Sequence, residues 1–322
     1  MDARAHAGLA RLDASGDTGQ MRAVTTAFIA MTSTFACIFA ACSPNTTNPD
    51  ATTSSSSASS SSGNTGGAGG EAGQGGAGGG GGSAGVYQPK PGTSWQWQLS
   101  GLPLDTSFDV EVYDIDLVET QPAEIDALHA AGRKVLCYFS AGSWESFRPD
   151  AADFPASVKG SSLDPPFADE LWLDIRSSVV RDIMKKRLDL AVTKKCDGVE
   201  PDNVDGYSND NGFGLTAADQ LDFNKFIANE AHARSLSVGL KNDLEQLGDL
   251  VDSFDWALNE ECYAYNECET YTSTFIQAGK AVFHAEYVVE GELGAVCAVT
   301  KPLQLSTLIK HIELDAYRVP CP

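Results

Sequence analysis

A short acidic segment of the chain combines residue types that acid–base chemistry requires. Residues 197–212 read DGVEPDNVDGYSNDNG and contain five carboxylates and three asparagines. The segment follows a helix-like stretch and opens with a strand-like Gly-Val-Glu. Carboxylates held at the end of a strand can act as general acids, general bases or nucleophiles. The segment is therefore the first candidate for a reactive site.

Cleavage of a glycosidic bond is the chemistry that paired carboxylates serve best. One carboxyl group protonates the leaving oxygen, and the other attacks the anomeric carbon or activates a water molecule. Asp202, in the acidic segment, and Glu260, in the later run WALNEEC, each stand near the end of a β-rich run. We therefore predict Asp202 and Glu260 as the catalytic pair.

Eight β-rich runs alternate with helical patterns and must position these acids. The runs cover residues 94–99, 110–116, 134–140, 170–175, 198–203, 237–243, 256–262 and 281–288. Strands that alternate with helices indicate parallel pairing through crossovers. About 235 residues are available for these units, which predicts a single-domain (β/α)8 TIM barrel of the α/β class. A doubly wound open sheet is the alternative, but no G-x-G-x-x-G follows the first run, which disfavours its dinucleotide-binding form.

The helical patterns between the runs are amphipathic. Apolar residues 180, 183, 184, 188 and 191 fall on one helical face. Thr216 with Asp219 resembles a capping box, and Phe223, Phe226 and Ile227 follow it as an apolar stripe. Such stripes indicate packing against a core.

Nearly every predicted strand has a carboxylate near its C-terminal end, where TIM barrels place their functional groups. Isolated buried carboxylates are costly, so their shared position at one end indicates function. The aromatic residues nearby are expected to stack against sugar rings. Beyond the catalytic pair, the predicted substrate-binding residues are Asp114, Tyr138, Asp174, Glu200, Asp205, Lys241, Glu286, Trp97 and Tyr207.

Four motifs share this arrangement: CDGVEPDNVDGY (196–207), CYFSAGSWE (137–145), GLKND (239–243) and NEEC (259–262). Their combination resembles glycoside hydrolase family 114, the endo-α-1,4-polygalactosaminidases, over about residues 95–288. The resemblance implies a (β/α)8 fold and cleavage of α-1,4-linked galactosamine polymers, which are partly cationic. It also implies Asp202 as the nucleophile or base and Glu260 as the acid. Glu261 stands where many relatives are expected to have a neutral residue, and strand geometry predicts that it points away from Glu260.

Other chemistries find little support in the sequence. There is no G-x-S-x-G elbow, no Walker loop and no C-x-x-C pair, and the acidic segment does not fit the spacing of a calcium-binding loop. We therefore expect neither a metal nor another cofactor. A formal net charge of −22 argues against nucleic acid as a partner. Together with the resemblance, it favours an acidic cleft for a cationic or partly acetylated amino-sugar polysaccharide.

The N-terminal third of the chain predicts export. Residues 1–42 are interpreted as a signal peptide whose lipobox-like end, FAAC, makes Cys42 a lipid-modified residue. Several Ser and Thr residues interrupt the apolar stretch, which disfavours the alternative of a transmembrane anchor. Residues 43–85 form a Ser- and Gly-rich linker without side chains to bury, and residues 86–322 form the hydrolase domain. We expect an exported monomer that is secreted or attached to membranes through lipid alone.

Six cysteines remain in the folded part, and an even number in an exported chain suggests disulfides. Cys262 and Cys268 are close enough to close one loop, and Cys297 with Cys321 would fix the C-terminus. Cys137 lies in an apolar run, where a free buried thiol is the alternative. The sequence alone leaves the connectivity open.

Two other functions stay open at this point. One is a non-catalytic lectin or matrix adhesin on the same lipid tether, which the intact carboxylate pair disfavours. The other is hydrolysis of a different α-linked polymer. Release of reducing ends from partly deacetylated polygalactosamine separates the enzyme from the lectin.

Substitution of Cys42 by serine tests the predicted anchor. The variant should be released from membranes, because its N-terminal residue can no longer carry lipid. Membrane fractionation and mass analysis of the mature N-terminus provide the measurement. A variant that stays membrane-bound and retains residues 21–41 would show that the signal interpretation is wrong.

Overall fold

The computed structural model describes residues 85–322. The predicted signal peptide, Cys42 and all but the last residue of the predicted linker lie outside the described residues. None of the helices within the described range is long and apolar enough to span a membrane. The strands are β1 (Trp95–Gln98), β2 (Val112–Asp116), β3 (Lys134–Ser140), β4 (Ser143–Trp144), β5 (Lys159–Ser162), β6 (Leu171–Leu173), β7 (Gly198–Asp202), β8 (Ser237–Lys241), β9 (Trp256–Glu260), β10 (Val282–Glu286), β11 (Ser306–Ile309) and β12 (Val319–Pro320). The α-helices are α1 (Pro122–Ala130), α2 (Ser178–Lys194), α3 (Ala217–His232), α4 (Leu247–Leu250) and α5 (Leu293–Thr300).

Eight parallel strands form the barrel that the sequence predicts. The main sheet has the order β1-β2-β3-β7-β8-β9-β10-β11, and β12 pairs antiparallel with β11. The first and last strands of this order, β1 and β11, are in contact. The Trp95 indole of β1 donates a hydrogen bond to the carbonyl oxygen of Ser306 in β11 at 2.7 Å. The Arg318 side chain, next to β12, donates to the carbonyl oxygen of Trp95 at 2.8 Å. The prediction of an α/β barrel is confirmed.

The membership of the barrel differs from the prediction at two strands. The predicted fourth strand, residues 170–175, contains β6, which belongs to a separate antiparallel sheet of order β4-β6-β5. The missing barrel strand is β11, which has only four residues, STLI. The helix before it, α5, has no strong amphipathic periodicity that would have marked a strand–helix unit. The catalytic candidate Asp202 therefore ends the fourth barrel strand, not the fifth.

The three-stranded sheet is an insertion between β3 and α2. It is fixed to the end of β3, because the Leu173 amide donates to the carbonyl oxygen of Gly142 at 2.9 Å. An added Cβ at Gly142 would lie 1.8 Å from the backbone oxygen of Asn203, so only glycine permits this approach. The insertion is thus packed directly beside the end of β7.

Alternation along the barrel strands separates two cores. Inward-facing residues such as Trp95, Trp97, Trp256 and Phe283 fill the barrel, with the Trp95 and Phe283 rings 4.7 Å apart. Outward-facing residues of the same strands pack against the helices, whose buried stripe on α2 includes the five predicted positions. The predicted capping box of Thr216 and Asp219 begins α3. Successive side chains of a strand point alternately into the barrel and towards the helices, so the parity of a residue, its odd or even place in the strand, decides which core it joins.

Three disulfides reinforce this arrangement. Cys137 of β3 pairs with Cys196, just before β7, so the alternative of a free thiol at Cys137 is wrong. Cys262 pairs with Cys268 and closes the loop after β9, and Cys297 pairs with Cys321 and holds the C-terminus against α5. Such bonds are typical of exported proteins.

Candidate active site

A buried lysine organises the C-terminal mouth of the barrel. Lys241, the last residue of β8, is 2% exposed, and its Nζ atom contacts three carboxylates. The distances are 3.0 Å to Glu200, 3.1 Å to Asp202 and 3.0 Å to Glu260. Burial alone would lower the pKa of Lys241, but these carboxylates raise it well above its usual value. The lysine therefore stays charged and holds the two catalytic candidates close together.

Beneath the lysine, two acids are sealed inside the barrel. Glu200 is fully buried and accepts a hydrogen bond from the Trp97 indole at 3.1 Å, as well as its bond from Lys241. Asp114 is also fully buried, and burial together with the negative charge of Glu200 raises its pKa well above the usual value. We infer that Asp114 is protonated and shares its proton with Glu200. The pair therefore carries less negative charge than two ionised carboxylates would.

Three hydrogen-bond donors surround the Asp202 carboxylate. Its Oδ2 atom accepts a hydrogen bond from the Tyr138 hydroxyl at 3.1 Å, and its Oδ1 atom accepts one from the Asn203 amide at 2.8 Å. Burial and the charge of Asp202 raise the pKa of Tyr138 well above its usual value, so the hydroxyl remains a donor. With Lys241, three donors stabilise the negative charge of Asp202.

Glu260 has a comparable but smaller set of donors. The Tyr287 hydroxyl donates to its Oε1 atom, and burial followed by the charge of Glu260 raises the pKa of Tyr287 well above the usual value. The side-chain oxygen of Asn242 accepts a hydrogen bond from the Glu260 amide at 3.0 Å. The strand end is therefore fixed, while the carboxylate keeps 25% of its surface exposed.

Left-handed backbone conformations follow three neighbouring strands at this mouth. Asn203 follows β7 with φ of 58°, Asn242 and Asp243 follow β8 with φ of 47° and 48°, and Glu261 follows β9 with φ of 64°. Non-glycine residues rarely adopt such angles, and outliers of this kind concentrate at functional sites. The strand ends at Glu260, so strand alternation does not determine the direction of the Glu261 side chain. The Glu261 backbone turns instead and donates its amide to Ala285 at 2.8 Å.

Several predicted binding residues are not available to a ligand. Trp97, Asp114, Glu200 and Glu286 have no exposed surface, so the prediction that they contact substrate is wrong in this structure. Trp97, Asp114 and Glu200 point inward and support the lysine from below. Glu286 has the opposite parity and faces away from the barrel axis. Its carboxylate accepts hydrogen bonds from the Tyr263 amide at 2.7 Å and from His284 at 2.9 Å, and so supports the loop after β9.

The remaining predicted residues lie at the rim. Asp174 directly follows the insertion strand β6, not a barrel strand, and it pairs with Arg176 at 2.8 Å. The Tyr207 hydroxyl donates to Glu245 at 3.1 Å on the loop after β7. Burial, and then the charge of Asp205, raises the pKa of Asp243 to about 8. Of the predicted binding residues, Tyr138 and Lys241 are therefore the ones that contact the catalytic candidates directly.

The structure adds residues that the sequence argument did not select. Tyr287 contacts Glu260, and Asn203 and Asn242 fix the ends of the strands that carry the two acids. The sequence signal for the two asparagines was that each directly follows a charged residue at the end of a β-rich run, in PDN and in LKN. A short polar side chain tolerates the left-handed conformation that such a strand end requires.

One group of potential metal ligands occurs among residues 85–322. The ligand atoms of Cys262, Cys268 and His284 lie within 4.8 Å of one another. The two cysteines form a disulfide and offer no thiolates. Between Asp202 and Glu260, the position that a cation would take is filled by the Lys241 ammonium group.

Comparison with known proteins decides the family. The model of the glycoside-hydrolase family GH114 matches residues 81–322, which includes every residue of the site described above. The chain belongs to glycoside hydrolase family 114. It is therefore a glycoside hydrolase, as its motifs predicted.

Solved structures support the family 114 assignment and its fold. The crystal structure of Aspergillus fumigatus Ega3 in complex with galactosamine is 47% identical, with a TM-score of 0.69, and the match covers 73% of this chain and 97% of that chain. The glycoside hydrolase domain of PelA from Pseudomonas aeruginosa is 14% identical, with a TM-score of 0.55, and the match covers 70% of this chain and 97% of that chain. The second likeness concerns the fold alone. A search of curated proteins found no match.

Replacing Lys241 by methionine tests the charge balance of this family 114 site. The change leaves buried carboxylates without their cation, which typically costs about 3–5 kcal/mol of unfolding free energy. Burial raises the pKa of Glu200 from 4.5 to about 7. Below pH 4.5 Glu200 is protonated in both the folded and unfolded chains, and above that pH the unfolded chain ionises first. The charge of Lys241 lowers the pKa of folded Glu200, so without the lysine Glu200 stays protonated in the folded chain to a higher pH while the unfolded chain is ionised. The loss measured by denaturant unfolding should therefore be larger at pH 8 than at pH 5.

The exposed Lys186 provides the matched control, because its side chain is 68% exposed on α2. Lys186→Met should change the unfolding free energy by less than about 0.5 kcal/mol at either pH. Equal stability of Lys241→Met and the unchanged protein at pH 8 would contradict the role assigned to Lys241.

Proposed function

We propose that this protein is an endo-acting hydrolase of α-1,4-linked galactosamine polysaccharides that uses Asp202 and Glu260 as its catalytic pair. The observation that carries the proposal is the shared contact of both carboxylates with Lys241 at the open mouth of the barrel. Both side chains are partly exposed, whereas the other acid on the lysine, Glu200, is sealed. Asp202 and Glu260 are thus the acids on Lys241 that a substrate can reach.

The separation of the two carboxylates favours a retaining mechanism. Each has an oxygen about 3 Å from the same nitrogen, so these two oxygens are at most about 6 Å apart. Retaining glycosidases have carboxyl groups about 5–5.5 Å apart, whereas inverting enzymes need about 6.5–9.5 Å to admit a water molecule. The compact arrangement leaves little room for that water.

The donors around each acid suggest its role. Asp202, with three donors, remains ionised and attacks the anomeric carbon. The bond from that carbon to the leaving oxygen breaks, and Glu260 transfers its proton to this oxygen. A water molecule then attacks the glycosyl–Asp202 ester and gives its proton to Glu260, which restores both groups. Lys241 stabilises the negative charge that moves between the two carboxylates during these steps.

The proposed substrate rests on charge and on similarity. The chain carries a formal net charge of −22, and an acidic cleft attracts a cationic polymer. The 47% identical Ega3 is a structure with galactosamine bound. We propose a partly acetylated, partly cationic galactosamine polymer as the substrate. We also propose that Cys42 anchors the enzyme to the cell envelope and that the enzyme acts as a monomer.

Near-isosteric substitutions test the catalytic pair. Asp202→Asn removes the nucleophile, and Glu260→Gln removes the transferable proton while keeping the shape. Loss of general acid–base assistance typically costs about 10²–10⁴-fold, so each variant should show almost no turnover. Reducing-end release from partly deacetylated polygalactosamine is the measurement, and melting temperatures verify that both variants fold.

Glu261→Gln is the matched control, because it removes the same charge from the next residue. It should retain most activity, since Glu261 lies beyond the end of β9, where the backbone takes a left-handed turn. Loss of activity in Glu261→Gln but not in Glu260→Gln would transfer the acid role to Glu261. Binding of the polymer by the unchanged protein without any cleavage would support a lectin instead.

The configuration of the first product tests the retaining mechanism. Proton NMR spectra recorded during the first turnovers should show the new reducing end in the α configuration, before mutarotation mixes the anomers. Initial appearance of the β anomer would mean that a water molecule attacks directly and that the two acids move apart when substrate binds.

A further inference from the structure

The insertion sheet places a carboxylate beside the catalytic mouth that the mechanism above does not use. Glu170 precedes β6, and its Oε2 atom accepts a hydrogen bond from the Ser143 hydroxyl at 2.6 Å. The Ser143 and Ser140 hydroxyls are 2.6 Å apart, and both serines are fully buried. Ser140 is the register partner of Asp202 in the barrel. Two hydrogen bonds therefore connect Glu170 to the strand end beside Asp202.

The side chain of Asn203 reinforces this connection. Its amide nitrogen donates to the hydroxyl of Ser140 at 3.0 Å and to that of Ser143 at 3.2 Å. Asn203 also donates its backbone amide to Asp202. One residue thus holds both the serine pair that positions Glu170 and the proposed nucleophile.

Glu170 lacks the basic partner that its neighbours have. On the same wall of the mouth, Arg148 binds Glu145 with two nitrogens at 2.7 and 2.8 Å and Asp116 at 2.7 Å. Arg187 likewise pairs with Asp150 at 2.8 Å. Within residues 85–322, no lysine, arginine or histidine nitrogen lies within 4 Å of the Glu170 carboxylate, and its one bonded donor is a neutral hydroxyl. Glu170 is therefore the carboxylate of this group without a basic partner, and it is connected through Ser143 and Ser140 to the strand end beside Asp202.

The charged groups that face Glu170 are acids. Burial raises its pKa to about 7, the Ser143 hydrogen bond opposes this, and the charges of Glu145, Asp202 and Asp169 add to it. Arg148 already neutralises Glu145. An ammonium group between Glu170 and Asp202 would supply the missing positive charge and would favour ionised Glu170.

We propose that Glu170 binds the ammonium group of a deacetylated galactosamine unit at the sugar position next to Asp202. The inference rests on the proposed function and deepens it, because it assigns selection for the free amine to one residue. An acetamide group is neutral and cannot provide the same charge-assisted bond. The enzyme therefore distinguishes deacetylated from acetylated units at this position.

Glu170→Gln tests the assignment with two oligosaccharides of equal length, one fully deacetylated and one fully N-acetylated. The variant should lose at least about tenfold in kcat/KM on the deacetylated oligomer, the effect of one lost charge-assisted bond. It should change less than about twofold on the acetylated oligomer. Asp164→Asn removes the same kind of charge from an exposed residue of the same segment and should leave both values unchanged.

The pH dependence of the same rates provides a readout that a merely structural role would not change. Glu170 ionises as the pH rises towards about 7, so its contribution to kcat/KM on the deacetylated oligomer should increase between pH 5.5 and 7. The comparison stops there because Glu170 binds the amine in its protonated form, which is lost at higher pH. The ratio of the unchanged protein to Glu170→Gln should therefore rise with pH for the deacetylated oligomer and stay constant for the acetylated one.

Three results would overturn the assignment. Equal loss on both oligomers would show a structural or catalytic role, no loss on either would show that the amine binds elsewhere, and a constant ratio across pH would exclude the charge of Glu170. If the unchanged protein cleaves neither oligomer, the proposed function fails separately. Calorimetric binding of both oligomers to Glu260→Gln, with and without Glu170→Gln, still tests Glu170 in that case, and equal affinities would refute it.

Discussion

The buried ammonium group of Lys241 is the constraint on which the rest of the site depends. Three carboxylates from β7 and β9 approach the nitrogen of one lysine on β8, and its positive charge offsets their mutual repulsion. The indole of Trp97 lies below, with Nζ 4.8 Å from the ring centroid. This aromatic floor excludes water, which strengthens the attraction between lysine and carboxylates. Catalytic geometry and barrel packing are therefore parts of one electrostatic arrangement.

Close backbone contacts at the mouth transmit this arrangement to the surrounding loops. Asn203 and Asn242 adopt left-handed conformations and fix the ends of β7 and β9 through their side chains. Gly142 permits the insertion to approach Asn203 to a distance that any Cβ would prevent. The strain at the strand ends persists because buried hydrogen bonds on several sides determine each position. A rigid mouth is what two carboxylates at a short, fixed separation require.

The sequence predicted the fold class and the family, because each leaves a local signal in period, motif or spacing, and it named the two partly exposed acids that contact Lys241. It misassigned β6, since LWLDI has the composition of a barrel strand while its antiparallel partners β4 (SW) and β5 (KGSS) are short and mostly polar. The sequence did not show which of the acidic residues are buried. Asp114 and Glu200 look like surface acids in the sequence, but inward parity and the layer that covers them place both inside the barrel. Tertiary packing decides such cases, and no local pattern encodes it.

The distinction between sealed and open acids explains how the acidic mouth can be both stable and reactive. Burial raises the pKa of both Asp114 and Glu200, so the interior below Lys241 carries less negative charge than two ionised acids would. Asp202, Glu260 and Glu170 lie above it, where solvent or a cationic sugar can compensate their excess negative charge. A neutral polymer would displace the water that stabilises these carboxylates and would offer no charge in its place. An ammonium group also displaces this water, but its positive charge compensates the lost hydration. The charge arrangement therefore favours amino sugars before any specific hydrogen bond to the ring is formed.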